Sequence, residues 1–226
     1  MSTNPIKIIG AGLAGSEMAL QLSSRGIPVR LFEMKPQKKT AAQTSDHFAE
    51  LVCSNSFRSA STHNAIGQLK WEMRQGGSYV MAAADRHAVP AGDALAVDRE
   101  AFAADLTAQL EAHPLIDIVN EVVTRIPEGL TVIATGPLTD TELAEDIARR
   151  AGRDSLYFYD AIAPIIDADS IDWSTVWTQS RYDKGDVAAY ANIPMTEQQY
   201  YGFVEAVVAG DKVPTHAFEK AKFFEG

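Results

Sequence analysis

The stretch IKIIGAGLAGSEMALQLSSRGIPVRLFE, residues 6–33, constrains the fold more than any other part of the chain. Ile6 to Ile9 is an apolar run of strand length that passes directly into Gly10-Ala11-Gly12-Leu13-Ala14-Gly15. Ser16 to Ser24 then has helical spacing, with Met18, Ala19 and Leu22 on one face and Gly26 ending it. Val29 to Phe32 is a second apolar strand, finishing at Glu33. Three glycines alone would serve any strand-to-helix turn. With both strands, the helix and the terminal acid in order, they make a dinucleotide-binding βαβ unit. Gly10 permits the tight turn, Gly12 removes the side chain that would block a pyrophosphate, and Gly15 lets helix and strand approach closely. The helix start offers the pyrophosphate free N–H groups and partial positive charge. Glu33, 18 positions beyond Gly15, is placed to accept hydrogen bonds from a ribose hydroxyl, and its charge disfavours a 2′-phosphate. The expected ligand is FAD or NAD.

A chain of 226 residues with 46% apolar content can bury a real core as one large or two modest domains. Its single cysteine excludes an intramolecular disulfide, and MSTNPIKIIG lacks the basic-then-apolar layout of a signal peptide. No apolar run approaches the roughly 18 residues of a membrane span. A cytoplasmic protein without a membrane partner is the expectation. With 30 acidic against 20 basic residues, the net charge of −10 opposes nonspecific attraction to nucleic acid or anionic lipid. Small basic groups remain at Lys35, Lys38 and Lys39 and at Arg149, Arg150 and Arg153.

Beyond Glu33 a long polar region runs from Met34 to Ser61, and a connection of that length inside a domain is usually functional or mobile. Helical spacing returns over His63 to Arg74 through Ile66, Leu69 and Met73, stopped by Gly76-Gly77. A turn at Pro90 to Asp93 leads to a short strand and a helix capped by Asp98, burying Phe102, Leu106 and Leu110. Ile116 to Val119, Val122 to Ile126 and Thr131 to Ala134 are expected strands, Thr141 to Ala151 a helix, and Leu156 to Tyr159 extended. Glu197 to Ala209 is expected to be helical, with Tyr200, Phe203, Val204 and Val207 on one side. Trp173, Trp177, Tyr182 and Tyr190 suit a small β-rich unit, as core or as stacking surfaces for a planar ligand. The fold class is therefore α/β: a Rossmann-like FAD-binding domain with an inserted smaller α+β domain. Residues 1–90 would hold the βαβ unit and an active-site loop, 91–150 continue the nucleotide fold, and 151–226 form the inserted substrate domain.

Other chemistries find little support. The five histidines show no zinc spacing and no cysteine pair joins them, so no metal site is expected. Ser54 and Ser56 lack the G-x-S-x-G frame of a nucleophile elbow. Asp167, Asp169 and Asp172 do not follow a calcium-loop pattern.

The strings IIGAGLAGSE, FAELVCSNSFRS, VPAGDALAVDRE, VIATGPLT, LYFYDAIAPIIDADSID, SRYDKG and FEKAKFFEG, taken in order, resemble the bacterial flavin- and folate-dependent tRNA (uracil-5-)-methyltransferases almost end to end. That resemblance implies an FAD enzyme in which methylenetetrahydrofolate supplies the carbon and NADH or NADPH the reducing equivalents. Its implied acceptor is C5 of the T-loop uridine of tRNA. Thr135-Gly136 then matches the alanine-threonine-glycine turn of many flavoproteins. Gly10 to Gly15 would hold the FAD pyrophosphate and Glu33 the ribose, while Val123 matches a position whose backbone meets adenine, although a core valine fits equally well.

C5 of uracil is a poor nucleophile, and adding a thiolate at C6 activates it. Cys53 matches an active-site cysteine of the family, with Arg58 near enough in sequence to favour the thiolate. Asn55 and Ser56 are expected to border flavin or folate, and Arg99 matches an arginine of the superfamily or is an exposed first-turn side chain. Members of the family continue past FFEG with a second cysteine, to which the direct role on uridine falls, and with about as much chain again. The activity is thus expected of a longer parent, with Cys53 assisting near the flavin and the piece ending at Gly226 feeble by itself. Two alternatives stand: another FAD/NAD(P)H oxidoreductase or tRNA-modifying flavoprotein, and a non-catalytic nucleotide-binding module if Gly226 is the natural end.

Overall fold

A computed structural model of the chain describes residues 4–40, 42–152, 166–179 and 190–211. Backbone contacts divide the chain into residues 1–163 and 164–226. The first unit is built on a parallel sheet of β1 (Ile6–Ile9), β2 (Val29–Glu33), β6 (Ile116–Asn120) and β7 (Thr131–Ile133), in the order β6-β2-β1-β7. β1 is thus an inner strand, paired with β2 from Ile6 opposite Val29 and with β7 from Lys7 opposite Thr131. The helix α1 (Leu13–Ser24) makes the crossover from β1 to β2, as a parallel pair demands. It buries Gly15, Ser16, Ala19, Leu20 and Ser23. Met18, expected on that inner face, is instead 38% exposed, on the side of the helix that borders α2 (Ala65–Gln75).

A second, antiparallel sheet has the order β3 (Ser56–Ser59), β5 (Ala94–Val97), β4 (Ala88–Val89). Between β3 and β4 come α2 (Ala65–Gln75) and α3 (Tyr79–Arg86), and α4 (Arg99–Ala112) follows β5. Asn64 caps α2 by accepting from Gly67 N at 3.0 Å, and Asp98 caps α4 by accepting from Glu100 N and Ala101 N. Capping of α3 is shared: Ser78 accepts from Met81 N, while the Glu17 carboxylate of α1 accepts from Tyr79 N and Val80 N. Phe102, Leu106 and Leu110 of α4 are fully buried, joining Ile8, Leu31, Val80 and Met81 in the main core.

Val122 to Ile126 is not a strand. Its N–H groups leave the ladder, Ile126 N donating to the buried Asp146 carboxylate of α5 (Thr141–Ala151) at 2.8 Å. Val123 packs instead with Ile9 and Leu143 in a small second cluster. The expected strand at Leu156 to Tyr159 lies outside the described residues, as do Arg153 and Tyr182.

The second unit contains the hairpin of β8 (Trp177–Gln179) and β9 (Tyr190–Asn192) and the helix α6 (Glu197–Ala209), which begins with a Thr196/Gln199 capping box. Trp173, Trp177 and Tyr190 are exposed, and so are Tyr200, Phe203, Val204 and Val207 of α6. Asp167 and Asp172 accept hydrogen bonds from Asp169 N and Ser174 N, which makes them turn caps.

Candidate functional site

In the glycine turn after β1, two of the three glycines meet a steric demand and the third faces open space. Gly10 has φ +96°, and a Cβ there would stand 2.8 Å from the carbonyl oxygen of Ala134. At Gly15 an added Cβ would meet Gly10 O at 1.8 Å, so helix and turn touch through bare backbone. Above Gly12, by contrast, an added Cβ would find nothing within 4 Å. Gly12 is also the N-cap of α1, with no side-chain cap and no acidic residue in the first turn. The first-turn N–H groups have no partner inside the helix, and they open onto space.

That space is a pocket of about 330 Å³, whose walls include Gly10, Gly12, Leu13 and Ala14 on one side, and Phe32, Glu33 and Met34 at the end of β2. Val122 and Val123 after β6, and Thr135 and Gly136 after β7, complete it, so it lies at the C-terminal ends of the parallel strands. Ala11 and Gly15 do not line it. Ala11 N donates to Glu33 Oε2 at 2.8 Å and Ala11 O accepts from Ala49 N at 2.8 Å, so both its backbone groups hold the turn in shape. Glu33 is buried, and its Oε1 accepts from Lys35 N at 3.1 Å. One bond per oxygen leaves lone pairs on the carboxylate for a further donor.

The connection from Met34 to Val52 lies against the same pocket through Thr40, Gln43, Glu50 and Val52. Nothing in the sequence marks those four residues, because the contacts that anchor their connection, Gln37 on Asn120 and Lys38 on Asp140, are remote. Lys35 and Glu50 form a buried ion pair at 3.3 Å, and Lys35 also donates to the His47 carbonyl. Burial pushes the Glu50 carboxyl up, but N–H groups of Thr44 and Ser45 and the Lys35 ammonium outweigh it and hold it below the usual carboxylate value. Lys38 reaches Asp140, the N-cap of α5, and its own ammonium is raised by that carboxylate.

Cys53 is exposed, one residue past the pocket wall at Val52. On its near side, Arg99 donates to the Leu51 carbonyl, so Arg99 is a clamp on this loop and not a free first-turn side chain. On its far side, Asn55 exchanges bonds with Val97, Val97 N donating to Asn55 O at 2.9 Å and Asn55 Nδ2 to Val97 O at 3.3 Å. Ser56 Oγ accepts from Arg58 N. Among the described residues, the Arg58 side chain makes no hydrogen bond or ion pair with Cys53. Arg58 has φ +65° and borders a different, apolar groove of about 880 Å³ between α1 and α2, with Met18, Ile66, Leu69 and Met73. The apolar face expected for α2 therefore lines this groove instead of the core. Lys70 stands there too, 6% exposed, donating to Ser59 O and Ile66 O. Burial and the nearby Arg74 and Arg58 pull its ammonium below the usual lysine value.

Among the described residues no three His, Cys, Asp or Glu side chains gather to hold a metal, and no helix is long and apolar enough to cross a membrane. Residues 5–226 match the family GIDA, glucose inhibited division protein A. The chain belongs to the GidA family. Within curated relatives, it is 54% identical over 226 residues to the methylenetetrahydrofolate–tRNA-(uracil-5-)-methyltransferase TrmFO of Bacillus cereus strain Q1, covering 100% of this chain and 52% of that protein. The same figures hold for the protein of that name in Bacillus subtilis strain 168. The Enterococcus faecalis protein is 54% identical over 224 residues, 99% of this chain and 51% of its own length. This GidA-family chain thus spans about half the length of the curated relatives it matches. Among solved structures, GidA of Aquifex aeolicus in its form II crystal aligns with a TM-score of 0.44 at 17% identity, over 55% of this chain and 21% of that one.

Proposed function

We propose that this chain is the dinucleotide-binding portion of an FAD- and methylenetetrahydrofolate-dependent enzyme that methylates C5 of a uridine in tRNA. The observation that carries the reading is the 54% identity, running along the whole chain, to proteins named for that reaction. The pocket fits FAD: open space over Gly12 receives the pyrophosphate against the uncapped first turn of α1. The Glu33 carboxylate meets the adenosine ribose hydroxyls, and Val122 and Val123 line the adenine end. Bound FAD supplies the electron transfer between NADH or NADPH and the folate-borne carbon. Thr135 and Gly136 continue the wall beyond the pyrophosphate, and Val52 brings the Cys53 loop to its edge. Cys53 assists beside the flavin, held by Arg99 through Leu51 and by Val97 through Asn55. The expected setting is the cytoplasm, where tRNA and reduced nicotinamide meet.

Two measurements test this. With the full-length parent, labelled methylenetetrahydrofolate and NADH should place label in tRNA; label absent from tRNA while the flavin turns over would refute the assignment. With this chain alone, FAD should be retained or bound on titration, read from flavin fluorescence.

A further inference from the structure

The connection leaving β2 is pinned on two sides of the dinucleotide pocket. Gln37 Nε2 donates to the carbonyl of Asn120, the last residue of β6, at 2.7 Å, and Lys38 pairs with Asp140 at the start of α5. Between Asn120 and Asp140 in sequence lie the wall residues Glu121 to Val123 and Thr135 to Leu138. The connection therefore runs as a strap beside the pocket, and Thr40 and Gln43 of the strap form part of its wall. Thr40 N donates to Gln43 Oε1 at 2.9 Å and Gln43 N donates to Thr40 O at 3.1 Å, a closed turn that commits both backbone groups of Thr40.

The Thr40 hydroxyl is the exception. Among the described residues its Oγ1 is the one buried side-chain polar atom with no hydrogen-bond partner. Buried hydroxyls are paired almost without exception, since an unmade bond forfeits the interaction they had with water. Among the described residues no acceptor reaches it, and the side chain borders a cavity. A step between staggered χ1 rotamers turns the hydroxyl to a new direction at the wall. An occupant with an outward oxygen would then complete the bond.

We infer that Thr40 is a further binding residue of this pocket, its hydroxyl donating to a ribose or pyrophosphate oxygen in the ADP half of the bound dinucleotide. The ADP half is assigned because the strap issues directly from Glu33 and Met34, at the adenosine end of the pocket. The inference rests on the dinucleotide reading given above, and its sign is unusual. A hydroxyl that is unpaired in the ligand-free chain contributes nothing to stability there, and contributes only when ligand is bound.

Thr40→Val and Thr40→Ser in this chain test it, with FAD and ADP as titrants and thermal melting without ligand. Thr40→Val should weaken FAD and ADP alike by about five- to twentyfold, the loss of one hydrogen bond, while the ligand-free protein melts at or above the wild-type temperature. Thr40→Ser should restore both affinities to within about twofold, because it keeps the donor. Unchanged affinity in Thr40→Val overturns the inference, and so does a ligand-free melting temperature that falls. A loss confined to FAD, sparing ADP, also overturns it by moving the contact to the flavin half. If the wild-type chain binds neither titrant, the dinucleotide reading fails and takes this inference with it.

Discussion

Gly12→Ala, set beside Gly15→Ala, separates binding from folding at two positions of one turn. At Gly12 the backbone sits at φ −71°, ψ −169°, open to any residue, and the added methyl meets nothing within 4 Å. The cost to the empty protein is confined to a poorer N-cap, about 0.5–1 kcal/mol. For a chain of this length that lowers Tm by about 1–4 °C. The methyl nevertheless stands in the space assigned to the pyrophosphate, where the ligand must reach the N–H groups of the first turn, and FAD affinity should fall at least tenfold. At Gly15 the added methyl lies 1.8 Å from Gly10 O. Contact distances start near 3.0 Å, so helix and turn must separate by about 1.2 Å, the difference of those two values. Overpacking of that kind costs about 1–3 kcal/mol or more, and Gly15→Ala should melt about 2–12 °C lower. Melting scans with and without FAD, together with fluorescence titration, read both effects. Gly12→Ala protein that binds FAD as tightly as wild type would refute the pyrophosphate placement, whatever Gly15→Ala does.

Glu50→Gln should destabilise the chain by on the order of 3 kcal/mol at neutral pH, since it leaves the buried Lys35 ammonium without its anion. Because the Glu50 carboxyl is held below its ordinary value of 4.5, its contribution is full above that pH and is lost as pH falls through the depressed folded value. Tm measured from pH 7 downward should therefore decline less steeply below about 4.5 in Glu50→Gln than in wild type, and parallel curves would contradict the pairing. Arg99→Ala should free the Leu51 carbonyl and speed alkylation of Cys53 severalfold, followed by mass because the chain has one thiol; an unchanged rate would show that Arg99 does not restrain that loop. Lys38→Met should raise the FAD dissociation rate and remove part of its salt dependence, as expected of an exposed ion pair holding the strap; stopped-flow release at two ionic strengths decides it.

The parts of the fold that the sequence made legible are those settled by neighbouring residues. Gly10 turns at a positive φ and Gly15 packs on Gly10 O, both within the βαβ unit, and Asp98 caps the helix it immediately precedes. Legibility failed where the deciding partner is distant. The helix α3 is short, and much of its N-terminal satisfaction comes from Glu17, more than 60 residues earlier. Val122 to Ile126 has the apolar, β-branched composition of a strand, yet its side chains wall a cluster while Asp146 takes the Ile126 N–H. Helical periodicity identified a face on α2 through Ile66, Leu69 and Met73 without indicating that it lines a groove. Within the site, Gly10, Gly12, Glu33, Val123 and Thr135 converge on one pocket, whereas Thr40, Gln43 and Glu50 arrive on a strap whose path depends on Asn120 and Asp140. Cys53 and Arg58 are five positions apart in sequence and make no contact by hydrogen bond or charge among the described residues.

Glu33 answers to two masters, the ligand and the turn. Its Oε2 holds Ala11 N and its Oε1 holds Lys35 N, so the acid proposed to meet the ribose also shapes the glycine turn and launches the strap. In related dinucleotide folds, a change of coenzyme preference begins by trading this acid for a neutral or basic residue that welcomes a 2′-phosphate. Here that trade would loosen the binding turn before any new preference could be selected. Any replacement of Glu33, evolved or engineered, would have to rebuild the Ala11 and Lys35 contacts first, which ties the identity of this residue to the architecture of the turn and not to a ligand alone.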